Sequence, residues 1–386
     1  MAWSAWGDPS VGRAAFYIAG FGLACWAAII PTTQTRLAVD EATLGLLLLA
    51  LGGGSVVAMQ AAGPLTMRIG ARVLVAIGAL GMAVLLPTLA QAADAIALAL
   101  LLAAFGAFLG LLEVAMNIHA VEVEKVSDRP LMSGFHAQFS IGGFVGAGSV
   151  AAALKFDFSG WLALFGAASI MIVALLSAIP GFLPHRRAQS VKGLVLPRGT
   201  VVVLSLAAAI FFLVEGAILD WTGVLLSQQG LVAVNSAGVG YAAFAAAMTV
   251  GRLCGDRAIT RFDERAVFRG GALLAIASFA LLLLAPSVPV AILALFAIGL
   301  GASNLVPILF RQAGCSRKMQ PELAIAAIST IGYAGILIGP ALVGLVASLT
   351  SLAWAFVGLA GLMFVPLIAV PRSMVLKRRA SSRCKD

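Results

Sequence analysis

Residues 112–140 read LEVAMNIHAVEVEKVSDRPLMSGFHAQFS. One carboxylate, Glu113, sits inside an apolar run, a short charged segment follows at 122–130, and a second apolar run then opens with Ser133, His136, Gln138 and Ser140. The fold turns on whether those apolar runs lie in water or in lipid. Working outward, the whole chain is 61% hydrophobic and 11% charged, with a mean hydropathy of +1.06. A soluble domain carries about 25% charged residues. A chain with so few charges has no aqueous surface to offer, so this is an integral membrane protein. Glu113 then lies within hydrocarbon, where an ionisable group is costly and marks a functional site by default.

Twelve apolar runs follow one another, each near the ~20 residues that a helix needs to cross the bilayer core. They fall at about 12–32, 42–62, 72–91, 95–119, 131–154, 160–181, 200–227, 237–255, 267–285, 289–313, 321–348 and 352–371. The 42 glycines suit helices that approach closely in lipid. No basic residue precedes Arg13, so the first run is expected to be a span and not a cleavable signal. The net charge of +9 raises nucleic acid as a partner, but the charges sit in short segments between apolar runs, which is a pattern of membrane orientation. With both termini in the cytoplasm, every Lys and Arg except Arg36 and Lys155 falls on the cytoplasmic side. The lipid bilayer is the expected surrounding, no nucleic acid is expected, and the chain is taken to be a monomer.

The longest interior polar segment, 185–200, contains Arg186, Arg187, Lys192 and Arg198. It divides the chain into an N-terminal six-helix bundle at 1–184, a cytoplasmic linker at 185–199, and a C-terminal bundle at 200–386 that ends in a basic cytoplasmic tail. A repeat supports the division. After span two come Gly63, Leu65, Arg68, Gly70 and Arg72, and after span eight come Gly251, Gly255, Asp256, Arg257 and Arg261. Gly63 and Gly251 stand 188 residues apart, the difference of their numbers and about half the chain. Two six-helix halves related by a parallel repeat make one known transporter architecture.

Over essentially its whole length the chain resembles the major facilitator superfamily. The segment Gly63–Arg72 is similar to that superfamily's signature loop, departing at Met67, where the family usually has Asp. The second copy carries its acid, Asp256. The resemblance implies that these loops latch the helices at the cytoplasmic face, with Arg68, Arg72, Asp256 and Arg257 as gating residues and the first latch the weaker. Leu112, Glu113, Ala115 and Asn117 are similar to the fucose-permease-like group, and the stretch through Ser133, Gly134, Phe135 and His136 resembles transporters of the rhizopine or inositol-derivative type. In fucose-permease-like proteins the glutamate matching Glu113 takes part in proton coupling. Those proteins also have an aspartate on span one. Here that region is Trp26 to Pro31, without an acid.

The polar residues inside the spans are the candidate site. Glu113 and Asn117 are four apart and share a helix face. Low dielectric disfavours a charged carboxylate, so such a group is a proton carrier or a ligand for a polar solute; the plainer role is a structural acid bonded to a neighbouring helix. His136 is expected near Glu113 or Asn117, where imidazole chemistry suits a relay, or else fixes the cytoplasmic mouth. Glu215 near mid-depth of span seven is the second coupling candidate, and Asp220 beside Trp221 is a gate or packing residue. Proton coupling is assigned to Glu113, Glu215 and His136. Solute binding is assigned to Trp26, Glu113, Asn117, Glu215, Asn304 and Tyr333. Arg311 is read as an end charge, and Gln34 and Arg36 as lining the periplasmic entrance.

No cofactor or metal is expected. His119, His136 and His185 lack ligand spacing, as do Cys25, Cys254, Cys315 and Cys384, which are expected to stay reduced. The sequence holds no phosphate-binding G-x-x-x-x-G-K-[ST] loop. Gly52 to Ser55 lie within a span and are expected to pack helices. Gly142 and Gly146 lack the following proline of drug:proton antiporters. The expected protein is an all-α, twelve-span secondary transporter in a bacterial inner membrane, carrying a small sugar-, polyol- or inositol-derivative-like solute with protons by alternating access. The alternatives are a proton-driven exporter of a metabolite or drug, and a non-transporting membrane sensor. No enzyme is expected.

Overall fold

The computed structural model describes residues 9–39, 41–182, 196–231 and 239–374. The linker residues 185–195, with Arg186, Arg187 and Lys192, and the basic tail beyond 374 lie outside the described residues. The first six helices are α1 (Pro9–Leu37), α2 (Glu41–Ile69), α3 (Ala71–Leu89), α4 (Ala95–Ser127), α5 (Met132–Lys155) and α6 (Gly160–Ala178), the last running into a 3-10 turn at Ile179–Gly181. Then come α7 (Thr200–Gln228), α8 (Val239–Phe262), α9 (Glu264–Leu283), α10 (Val288–Ala302), α11 (Leu305–Gly314), α12 (Pro321–Leu349), α13 (Leu352–Leu362) and α14 (Phe364–Ser373).

Among the described residues, eleven spans are long and apolar enough to cross a membrane, with α10–α11 and α13–α14 each counting as one. The twelfth is α8, whose 24 residues are diluted by Arg252, Asp256, Arg257 and Arg261. At 1.5 Å per residue it is about 36 Å long, enough to span. Large apolar side chains such as Val57, Ile96, Phe144 and Trp354 point outward, as a lipid-facing surface requires.

Chain contacts divide the protein into two compact units. One is Met1–Leu131 with Gln138–Leu196, and the other is Met132–Ala137 with Pro197–Asp386. The opening residues of α5 thus group with the second unit. In the first unit α4 packs on α2 and α3, and in the second α10 packs on α8 and α9 while α7 packs on α12. Small residues make these approaches possible. Gly54 abuts the Ala103 carbonyl, Gly106 abuts that of Leu51, and the Ser55 hydroxyl donates to the Gly106 carbonyl at 2.7 Å. Gly54 and Ser55 are therefore helix-packing residues, while Gly53 is exposed with nothing against it. On α12, Gly335 and Gly339 lie against the carbonyls of Ala209 and Leu213 on α7.

Helix ends follow local chemistry. Asp94, Ser159, Asp263 and Ser351 cap α4, α6, α9 and α13 by accepting a backbone N–H three residues on. Span ten is broken at Ser303 and Asn304 because Pro307 has no N–H to give the Ser303 carbonyl four residues back.

Two sequence expectations are corrected. The stretches taken as loops after spans two and eight are helical: α2 runs to Ile69 and α8 to Phe262, with only Gly70 (φ 89°) and Asp263 (φ 69°) breaking the chain before the next helix. Charged side chains end a hydropathy run without ending a helix, because Arg and Lys are good helix formers. Cys25 and Cys254 are free thiols, but Cys315 at the end of α11 is disulfide-bonded. Spacing along the chain does not tell which thiols a fold brings within bonding range.

Candidate transport site

The second unit holds a charged pair in the middle of its helices. Glu215 is the sixteenth of 29 residues in α7 and Arg252 the fourteenth of 24 in α8. Their side chains stand 4.0 Å apart, Glu215 29% exposed and Arg252 8%. Arg252 also donates from Nε to the Ser303 carbonyl at 3.4 Å, the carbonyl that Pro307 leaves without its helical donor. Asn304 returns the connection: its Nδ2 donates to the Gly251 carbonyl and to the Ser303 hydroxyl, both at 2.9 Å. The break in span ten is thus tied twice to α8. Asn304 Oδ1 is buried, and no described group donates to it.

Arg252 was not among the residues assigned to the site from sequence. With span eight ended near 255, Arg252 falls in the charged segment at the end of the span. With α8 continued to Phe262, it lies ten residues from the helix end, about 15 Å inward. The available signal was the run from Gly251 to Phe262, in which no residue is a helix breaker in the way proline is.

Near the end of α8, Asp256 closes the start of α5. Its Oδ1 accepts from the Ser133 N–H at 3.1 Å and its Oδ2 from the Gly134 N–H at 2.8 Å. These are among the first N–H groups of a helix, which have no helical partners and favour an anion. His136, one turn further, packs its ring on Phe310 of α11, centroids 5.7 Å apart. Gly255 makes room there, since a Cβ on it would meet Asn304 Oδ1 and Ser133 Oγ. At the start of α9, Glu264 binds Arg311 of α11 at 2.7 Å and also accepts from Gln312. Arg311 is therefore the buried partner of a defined ion pair, not a simple end charge. Arg257 is exposed. Tyr333 of α12 is half-buried, edge-on to Phe212 of α7, and Asp220 is exposed beside Trp221.

In the first unit Glu113 and Asn117 are both buried in α4, 8% and 3% exposed. They share a face as the spacing implies, but the Asn117 amide donates to the backbone carbonyl of Glu113 at 2.8 Å, folding back along its own helix. Trp26 of α1 is 2% exposed, and no described group accepts from its indole N–H. His119 is fully buried against Phe182, rings 4.7 Å apart. Arg36 donates to the Ala92 carbonyl at 2.6 Å and Gln34 to that of Val39 at 3.4 Å, so both tie the end of α1 to neighbouring backbone. Arg68 is exposed and Arg72 half-buried, and Met67, where the family signature has an acid, is buried.

The family model for the Major Facilitator Superfamily matches residues 14–314. The chain belongs to that superfamily. An MFS-type transporter of Yersinia pestis is 41% identical over 367 residues, covering 94% of each chain. The transporter y4wD of Sinorhizobium fredii is 32% identical over 92% of this chain and 95% of its own. The membrane protein MosC of Rhizobium meliloti is 26% identical over 87% of this chain and 83% of its own. Among solved structures, FucP in its outward conformation superposes with a TM-score of 0.80 at 16% identity, over 95% of this chain and 99% of that one. The proton:xylose symporter XylE gives 0.75 at 10% identity, over 94% of each. The fold is thus the superfamily's twelve-helix, two-bundle arrangement, and the protein is a multi-pass membrane transporter of small solutes.

Proposed function

We propose that this transporter is a proton-coupled symporter of a small polar solute of sugar, polyol or inositol-derivative type, working by alternating access in a bacterial inner membrane. Its two bundles are 1–184 and 200–386, joined by the linker 185–199, with both termini cytoplasmic. The observation that carries the reading is Glu215, a partly exposed carboxylate at the middle of α7 with a buried arginine 4.0 Å away. A carboxylate that can exchange protons with an accessible space, inside hydrocarbon, is what ion coupling needs. Glu113 supplies a second buried carboxylate in the other half. The superposed FucP and XylE are named for fucose:proton and proton:xylose symport, which supports the coupling ion and the solute class.

Within this reading Glu113 and Glu215 carry protons, with His136 as a relay, and Trp26, Asn117, Asn304 and Tyr333 contact the solute. Asp256, with Arg68, Arg72 and Arg257, gates: letting go of Ser133 and Gly134 frees the first turn of α5. The test is uptake by proteoliposomes under an imposed inward proton gradient, with a panel of labelled polyols and sugars. Glu113→Gln is expected to abolish gradient-driven accumulation and to spare solute exchange at equal concentrations, which needs no net proton movement. Accumulation by that variant equal to wild type would overturn the role of Glu113. Proton-driven loss from preloaded vesicles, with no accumulation, would make the protein an exporter.

A further inference from the structure

The start of α3 carries an arginine whose repeat counterpart is engaged and which is itself left unengaged. Arg72 is the second residue of α3, and Arg265 is the second residue of α9. Each follows a break of positive φ, at Gly70 or at Asp263. In the second unit Arg265 reaches from span nine to span twelve, donating from Nη2 to the Met374 carbonyl at the end of α14, 3.1 Å away. The matching reach in the first unit runs from α3 to the end of α6. It is not made: among the described residues, no group accepts a hydrogen bond from Arg72 or pairs with its charge.

Between α3 and α6 there is instead a groove of about 350 Å³. Arg72 is the one charged residue lining it, and its walls include Ile77, Leu80 and Leu176, all exposed. α6 is the third span after α3 and so runs the opposite way, which sets Ile179 beside Arg72 and Ile172 beside Leu80. From Arg72 to Leu80 the groove covers about 12 Å along the helix, close to the depth of one leaflet of a ~30 Å hydrocarbon core. Its walls do not balance the arginine. Neither α3 nor α6 carries an acid. Gly70 gives α3 no side-chain cap, and the first N–H groups of the helix add positive potential at the same end.

We propose that this groove binds one anionic phospholipid, with an acyl chain laid between α3 and α6 and the phosphodiester on Arg72. The inference goes beyond the symport reading and does not rest on it. A guanidinium at the end of a span, over an apolar slot of leaflet depth, is complementary to a negative headgroup over a hydrocarbon chain. The guanidinium presents a planar pair of N–H donors to two phosphate oxygens. A soluble anion would leave the exposed apolar walls uncovered, and a zwitterionic lipid brings its own cation beside the phosphate. The bound lipid does for α3 and α6 what the Arg265 bond to Met374 does for α9 and α14, joining the ends of two helices.

Native mass spectrometry of the purified full chain tests the proposal, with phosphatidylglycerol and phosphatidylcholine of matched chains and with glycerol 3-phosphate as a headgroup without chains. The first phosphatidylglycerol is expected to bind about fivefold more tightly than the first phosphatidylcholine, the weight of one basic residue at a lipid surface. Arg72→Gln should remove this gap and Arg72→Lys should keep part of it. Arg269→Ala, which removes an exposed arginine of α9, should leave it intact. Ala76→Trp fills the groove and keeps the charge, and should weaken the first binding of either lipid several-fold. Where a variant does not fold, the wild-type chain decides. Phosphatidylglycerol with a photoreactive group in its acyl chain should label 73–80 and 172–179 ahead of the other outward-facing helices, and unlabelled phosphatidylglycerol should suppress that labelling more than phosphatidylcholine does.

Equal binding of the two lipids, a gap that survives Arg72→Gln, or labelling that avoids α3 and α6 would overturn the proposal. So would displacement of phosphatidylglycerol by an equal concentration of glycerol 3-phosphate, which would make Arg72 a site for soluble anions. A dimer that Ala76→Trp dissociates, with lipid binding unchanged, would give the groove to a second copy of the chain instead.

Discussion

The junctions α2–α3 and α8–α9 are two copies of one design that differ in a few side chains. Each is a long helix, a single residue of positive φ, and a new helix: Gly70 (φ 89°) in the first copy and Asp263 (φ 69°) in the second. Aligned on the arginine that follows, Met67 beside Arg68 stands where the second copy has Asp256 beside Arg257. Met67 is buried as an apolar side chain, whereas Asp256 takes two backbone N–H groups of α5. After the break, α3 has no acid in its first turn, while α9 opens with Glu264, which engages Arg311 and Gln312. Gly70 gives α3 no side-chain cap, and Asp263 caps α9 at 2.9 Å. The backbone geometry is therefore separable from the charges laid over it. In the first copy the bend alone is kept; in the second it has become a knot of three acids that holds α5, α9 and α11.

The acids of the second copy should therefore matter most. Glu264→Ala takes away the carboxylate that the buried Arg311 and Gln312 engage, and removing one member of a buried pair costs about 3–5 kcal/mol. A large drop in the unfolding midpoint is expected in detergent. A drop no greater than that of an exposed control such as Arg257→Ala would break the contrast between the junctions. Asp256→Ala leaves the Ser133 and Gly134 N–H groups without their acceptor, at about 1–3 kcal/mol. Faster labelling of a cysteine introduced at Ser133 is expected with it, since the start of α5 loosens. Unchanged labelling would show that the carboxylate does not hold that turn.

The finest comparison is between the residues just before the acid position. Gly255→Ala places a methyl group against Asn304 Oδ1 and Ser133 Oγ. Asn304 cannot yield without losing its bonds to Gly251 and Ser303, so a loss of about 1–3 kcal/mol is expected, as for overpacking. The first-copy counterpart is Thr66, whose hydroxyl only bonds back to the Ala62 carbonyl one turn earlier. Thr66→Ala should stay within about 0.5 kcal/mol. Thermal unfolding of the two variants side by side checks the difference.

The spans were legible in the sequence because lipid imposes one rule on every helix, an apolar run of sufficient length. The helix ends were less so. Arg68 and Arg252 mark where hydropathy falls, but α2 and α8 continue through charged turns, and that error hid Arg252 at mid-span. Four-residue spacing placed Glu113 and Asn117 on one face correctly, but it could not foretell that the Asn117 amide bonds to the backbone of its own helix. The contact of the His136 ring with Phe310 joins residues more than 170 positions apart by residue number. Contacts of that range follow from the fold and leave no local pattern.

Pro307 ties two distant positions together in inheritance. By withholding one N–H it exposes the Ser303 carbonyl, which Arg252 meets across a separation of 51 residues. Two distant codons are thereby tied: a mutation restoring the helix at 307 withdraws an acceptor from 252, and a mutation at 252 leaves the break at 303 without its donor. Descendants of this chain should change the two together or not at all.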